Sequence, residues 1–266
     1  MTIDRLQTQR FELKYRVDEA TAVAVRRFVQ AYLVPDDFGQ NRAIPSYPVH
    51  SLYLDSAELA LYRATVNGDT KRFKLRVRYY DDRPETPVYL EIKRRADRCI
   101  MKERALVTKT NAARLIAGEE PALRHLVRPD ARGFAALRTF CGLMRRMGAT
   151  PRAHVGYERE AWVSAGRNAV RVTMDRAIRC EPCLQSRFET AFGHGRPVFA
   201  DRVILEVKFT DRFPAWVGSM VQAFGLQQQS AAKYVDGVAA CGEPQVRLMP
   251  ALPGTPPSFP PVSVAI

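Results

Sequence analysis

Two hundred and sixty-six residues with 46% hydrophobic content can bury a full core, which excludes a disordered chain and a disulfide-stapled mini-protein. Lys plus Arg number 41 against 28 for Asp plus Glu, and the net charge of +13 points to polyanions as the partner class. Apolar stretches are broken by Arg or Pro well short of the ~20 residues that span a bilayer. The start of the chain lacks the apolar core of a secretory signal. Five cysteines, an odd number, suit a reducing compartment, so a cytoplasmic chain of one large or two small domains is expected.

In chain order, Arg10 to Arg16 alternates Phe11, Leu13 and Tyr15 with Glu12, Lys14 and Arg16, the period of a strand. Asp18 then caps a helix predicted to run to Leu33, with Ala20, Val23, Ala24, Phe28 and Ala31 at helical spacing. Strands are predicted at 49–55, 72–80, 88–94, 100–107, 153–163, 169–175 and 203–209, eight with the first. Helices are predicted at 111–117, closed by Gly118, at 131–147, closed by Gly148, and from Pro214 to Gly225. Strands in runs, rather than in strict alternation with helices, argue for an α+β domain on an antiparallel sheet. From Glu243 the last 24 residues hold 7 of the 18 prolines. The expected organisation is therefore one domain over 1–242 and an extended or disordered tail over 243–266.

The charge is concentrated where strands are expected: 12 basic and 6 acidic side chains lie between Lys71 and Arg104. Glu12-Leu-Lys14, Glu91-Ile-Lys93 and Glu206-Val-Lys208 repeat one pattern in three strands, and Lys74, Arg76 and Arg78 share a strand face, as do Lys102 and Arg104, and Arg171, Thr173 and Asp175. A single face of this kind is ordinarily solvated sheet. Six together predict a wide closed barrel, an eight-stranded antiparallel β-barrel with a polar, hydrated interior and helices covering its apolar outside. Arg and Lys bind phosphate oxygens, and interleaved carboxylates can hold the accompanying Mg²⁺ or Mn²⁺, so a nucleoside triphosphate or polyphosphate fits such an interior. A groove for nucleic acid would need far fewer carboxylates on the same faces.

Nine short motifs then fall in a familiar order. They are Phe11-Glu-Leu-Lys-Tyr15, Ser51-Leu-Tyr-Leu-Asp55, Lys74-Leu-Arg-Val-Arg78, Leu90-Glu-Ile-Lys93, Lys102-Glu-Arg104, Tyr157-Glu-Arg-Glu-Ala161, Arg171-Val-Thr-Met-Asp175, Leu205-Glu-Val-Lys208 and Lys233-Tyr234. Over Arg10 to Gly237 the chain resembles the VTC domain, the catalytic domain of vacuolar transporter chaperone polyphosphate polymerases, within the triphosphate tunnel metalloenzymes that also include the CYTH proteins. The resemblance implies an eight-stranded tunnel in which the γ-phosphate of ATP passes to a growing inorganic polyphosphate chain, with orthophosphate as a further ligand. It implies phosphate-binding roles for Lys14, Arg76, Arg78, Lys93, Lys102, Arg159 and Arg171 and a metal-binding role for Glu206, serving Mn²⁺ or Mg²⁺. Lys233 belongs to a Ser-Lys pair of the family that reads Ala232-Lys233 here, with Ser230 two positions earlier. By strand parity Glu12, Lys74, Glu91, Arg104 and Lys208 are secondary candidates, and Asp175 a lesser candidate for the metal. The expected module is a bare catalytic one, without a phosphate-sensing domain or membrane segment, open to docking on a separate membrane protein and of open oligomeric state. Hydrolysis of inorganic or organic triphosphates, or binding of polyphosphate or nucleotide without turnover, are the alternatives.

Other signals carry less. Cys180-Glu-Pro-Cys183 lacks the second pair of a zinc ribbon. His50, His125, His154 and His194 show no metal-ligand spacing, and Tyr53, Tyr62 and Tyr89 read as packing before they read as stacking surfaces for a base.

Overall fold

The computed structural model describes residues 10–40, 45–96, 99–165, 170–210 and 212–247. The elements in chain order are β1 (Arg10–Val17), α1 (Glu19–Val29), β2 (Val34–Pro35), β3 (Ser46–Asp55), α2 (Ala60–Val66), β4 (Lys71–Tyr79), β5 (Val88–Ala96), β6 (Cys99–Val107), α3 (Lys109–Ile116), α4 (Ala131–Met147), β7 (Thr150–Val163), β8 (Val170–Pro182), β9 (Arg196–Pro197), β10 (Val203–Thr210), α5 (Ala215–Ala223), α6 (Lys233–Cys241) and α7 (Glu243–Arg247). Local chemistry sets several ends. The Asp18 carboxylate accepts from Thr21 N–H at 2.7 Å to start α1, Asp130 does the same for α4 from Gly133 N–H at 2.7 Å, and α4 closes on Gly148 at φ +55°.

All strands join one antiparallel sheet in the order β1-β10-β8-β7-β3-β4-β5-β6, with the two-residue strands β2 and β9 attached to β7 and β8. Among the described residues no ladder joins β1 to β6, so the sheet is not the closed barrel that its charge pattern predicts. It curls instead, and the seam is bridged by side chains: Glu12 on β1 lies 3.3 Å from the ammonium of Lys93 on β5. Lys74, Lys93 and Lys102 stand directly opposite one another across β4, β5 and β6. A hydrogen-bonded closure would press this row towards Lys14 and Arg16 of β1 with less water to screen it.

The convex face is apolar and covered. Leu52, Leu75, Val77, Leu90 and Ile92 pack under α3 and α4 through Leu115, Leu137 and Phe140, while Tyr15, Val172, Leu205 and Val207 pack against Val25 and Val29 of α1 and Val217 and Met220 of α5. The helix α6 is placed differently. Tyr234 and Val238 pack with Tyr53, Ala153, Val155 and Cys180, whose strands turn these side chains to the concave face, so α6 plugs one end of the curl from inside. Gly237 permits this approach, because a Cβ there would lie 2.8 Å from Cys180 Sγ. The first five residues of the expected tail are not extended: Glu243–Arg247 is helical, Val246 is buried and Tyr62 Oη donates to Glu243 at 2.9 Å. Pro244 suits that first helical turn. Residues 248–266, and the first nine residues, lie outside those described. No helix of the described residues is long and apolar enough to cross a membrane.

Candidate functional site

The concave face encloses a cavity of about 730 Å³. Lys14, Lys74, Arg76, Arg78, Lys93, Arg159, Lys208 and Lys233 line it together with Glu12 and Glu206, so ten of the side chains singled out in the sequence converge there. Lys102, Glu91 and Asp175 stand behind them as ion-pair partners of the lining residues or of one another. Arg104 and Arg171 are not part of the lining. Arg104 lies over the Tyr89 ring at 4.9 Å, and Arg171 is drawn to Asp36 at 2.6 Å and to Tyr47 Oη at 3.2 Å.

Carboxylates neutralise most of these cations. Glu91 accepts from Arg76 Nε at 2.9 Å and Nη2 at 2.6 Å, and from Lys102 at 2.6 Å. Burial would raise its pKa, but Arg76, Arg78 and Lys102 hold it well below the usual carboxylate range. Glu12 meets Lys14 at 2.9 Å, Lys93 at 3.3 Å and Lys208 at 3.9 Å. Asp175, fully buried, takes Arg159 Nε at 2.7 Å and Nη2 at 2.8 Å, and Lys233 at 2.6 Å. Glu206 pairs with Lys208; against the upward effect of burial, Lys208, Lys14, Lys233 and Lys93 keep it well below its ordinary value.

Two positions are left with less compensation. Burial, reinforced by Lys93, Lys14 and Arg76 against an upward pull from Tyr53, lowers Lys74 to about 8. Lys93 and Lys102 are also lowered to about 8, mainly by burial, despite Glu12 beside the first and Glu91 beside the second. Arg78 is 8% exposed and donates only to Tyr157 Oη at 3.2 Å and Ser51 Oγ at 3.4 Å. Its Nε has no partner among the described residues. A buried guanidinium with an unsatisfied N–H and no carboxylate is costly unless an anion completes it.

A metal fits this interior in one mode only. Among the described residues no group of three His, Cys, Asp or Glu is placed to hold an ion. Glu206, however, stands opposite Thr173, whose buried Oγ1 has no partner. One carboxylate and one hydroxyl match a divalent ion that takes its remaining ligands from water and phosphate.

Three tyrosines contribute more than the sequence suggested. Tyr53 lines the cavity, receives a hydrogen bond from Arg76 Nη1 at 3.3 Å and stacks on Tyr234 at 4.6 Å. Burial acts to raise its pKa, yet Arg76, Lys74 and Arg78 bring it down to about 8. The Tyr157 ring carries Lys233 at 4.9 Å and Arg159 at 5.2 Å on its face. A signal for Tyr53 was present, since Ser51, Tyr53 and Asp55 alternate with Leu52 and Leu54. The 228–232 segment had none: Ala231 O accepts from Lys14 Nζ at 3.1 Å, so its backbone, not a side-chain motif, builds the wall. Ala232 in that wall brings no hydroxyl.

The family model of the VTC domain matches residues 9–241. No curated protein matches the chain. Of solved structures, the PH1819 protein of Pyrococcus horikoshii OT3 aligns with a TM-score of 0.43 and 11% identity, over 86% of this chain and 98% of its own. A Bacillus halodurans protein provisionally named an adenylate cyclase aligns with a TM-score of 0.46 and 10% identity, over 85% of this chain and 94% of its own.

Proposed function

The chain belongs to the VTC domain family, and on that premise we propose that it is a phosphoryl transferase that moves the γ-phosphate of ATP onto a growing polyphosphate chain. The observation that carries the reading is Arg78, buried beside Arg76 and Arg159 in the cavity wall with an orphaned Nε and no carboxylate of its own. Phosphoryl transfer needs little covalent help from a protein; it needs the phosphates held in line and the charge on the transferring group spread. Arg76, Arg78 and Arg159 supply planar donor forks for that purpose, and Lys14, Lys74, Lys93 and Lys233 supply point charges. The carboxylates keep the empty cavity from being intolerably cationic and release their partners when phosphate arrives. Glu206 with Thr173 would hold Mg²⁺ or Mn²⁺, which supplies Lewis-acid polarisation of phosphate oxygens when bound.

Incubation of the purified protein with ATP and Mn²⁺, followed by gel electrophoresis for a phosphate polymer, tests the proposal. Polymer is expected from the wild type and not from Glu206→Ala, which should still bind tripolyphosphate without metal. Absence of polymer with either metal and with added orthophosphate refutes it. The second reading is hydrolysis, in which the same cationic cavity would serve with water in place of the phosphate acceptor. Orthophosphate release from tripolyphosphate without chain growth would decide for that reading.

A further inference from the structure

At the rim of the sheet, where Tyr157 separates it from the cationic cavity and lines both, a second cavity of about 430 Å³ opens under the chain that leads from β8 to β9. Its floor is His50, Gly156 and Ala177 from the sheet, and its sides are Tyr80 and Asp82 after β4 and Phe192 from the covering segment. Two backbone features make this floor. Ala177, at φ +47°, is the extra residue of a bulge that offsets β8 from β7. Gly156 admits the His50 ring, since a Cβ there would lie 2.6 Å from His50 Nδ1.

His50 ends a buried relay whose polarity can be worked out. Glu181 Oε2 accepts from His194 N–H at 3.0 Å, and its Oε1 lies 3.4 Å from His154 Nδ1. A carboxylate there makes His154 Nδ1 the donor, which leaves His154 Nε2 an acceptor in the neutral ring. His50 Nδ1, 2.9 Å away, must then carry the proton of that bond. The lone pair of His50 is thus on Nε2, which has no partner among the described residues. His50 is only 6% exposed, yet it lines the cavity. Burial first, then His154, lowers its pKa to about 4, so the lone pair persists at neutral pH.

An acceptor flanked by the Asp82 carboxylate and aromatic rings suits a cationic donor. Asp82 accepts from Thr190 N–H and from Thr190 Oγ1 at 2.7 Å and stands at the rim, whereas Asp81 beside it is already paired with Arg83 at 2.9 Å and lies 3.9 Å from Lys109. Phe192 stacks on His154 at 4.3 Å and stands 6.0 Å from the His50 ring, and Tyr80 faces the same space. No metal-ligating group of three occurs among the described residues, which turns the choice from a metal ion to an organic one. We propose that this cavity binds an organic ammonium ion, one N–H of which is accepted by His50 Nε2 while Asp82 neutralises the charge and Phe192 and Tyr80 flank the alkyl group. Tyr157 lines both cavities, but His50, Asp82, Phe192 and Tyr80, which would hold the ammonium ion, do not line the cationic one.

Titration of the full chain with n-butylammonium at constant ionic strength, followed by calorimetry, tests the assignment, with tetramethylammonium as a cation that has no N–H to donate. Saturable binding of n-butylammonium is expected, at least ~tenfold tighter than tetramethylammonium and weakened at least ~tenfold in both His50→Phe and Phe192→Leu. Should His50→Phe fail to fold, Phe192→Leu and the comparison of the two cations decide. No saturable binding by the wild type, equal affinity for the two cations, or wild-type affinity in the folded variants overturns the proposal.

Discussion

Asp175→Asn separates two roles for the carboxylates of the cationic cavity, because counter-ion and metal ligand predict different signs. Asp175 is fully buried and held by Arg159 and Lys233. Burial alone would push its pKa up; the two cations overcome this and hold it at about 2 against an ordinary 3.8. At ~1.36 kcal/mol per pH unit the difference is worth about 2 kcal/mol of folding stability at neutral pH. The folded pKa lies below the unfolded one. That stability is therefore complete above pH 3.8 and is lost as pH falls through 2.

Replacement by Asn removes this term and leaves Arg159 buried without a carboxylate, so a loss of roughly 3–5 kcal/mol is expected in urea unfolding at pH 7. Affinity for tripolyphosphate should move the other way. Arg159 and Lys233 are then free for phosphate, and a gain of about tenfold, or ~1.4 kcal/mol, is expected by calorimetry without metal. Lower stability with tighter metal-free binding is the signature of a counter-ion. Unchanged stability, or metal-free binding that weakens, refutes the reasoning, whereas a loss confined to the Mn²⁺-dependent part would make Asp175 a metal ligand.

Arg78→Ala should weaken tripolyphosphate binding by ~2 kcal/mol in the same assay, and wild-type affinity would show that its orphaned Nε does not face the ligand. Anion binding should weaken as pH rises past about 8, where Lys74, Lys93 and Lys102 lose their protons, and Lys74→Met should flatten that limb; a flat profile between pH 7 and 9.5 counts against the lysine row. Acid should loosen the rim of the sheet: the His50 pKa falls from 6.5 unfolded to about 4 folded, so stability is full above 6.5 and declines as pH drops towards 4. The loss at pH 5 is about 2 kcal/mol from His50 alone, and denaturant unfolding of His50→Phe should lack it.

What the sequence could and could not convey follows from how far apart the deciding groups lie. Period-two alternation marks every long strand, and parity alone puts Lys74, Arg76 and Arg78 on one face, because both are properties of neighbouring residues. Closure is not such a property. Whether β1 meets β6 depends on two edges about ninety residues apart in the chain, and the lysine row across β4, β5 and β6 appears only when three strands are set in register. The helix α6 was missed for a related reason: Tyr234, Val238 and Cys241 are buried on the concave face, and Gly237 lowers its helical propensity for the sake of contact with Cys180. Yet α6 delivers Lys233 to Asp175 and Tyr234 to Tyr53.

The interleaved carboxylates also change meaning once the partners are known. As a pattern they suggest metal ligands, but Glu91 is committed to Arg76 and Lys102, and Asp175 to Arg159 and Lys233. A row of cations with no carboxylates would repel itself apart before any substrate arrived, and one with a carboxylate for every cation would leave nothing for phosphate to complete. The cavity lies between these limits, most cations paired and Arg78 left incomplete, so under the proposed function a phosphate chain would complete that guanidinium and displace carboxylates from the rest.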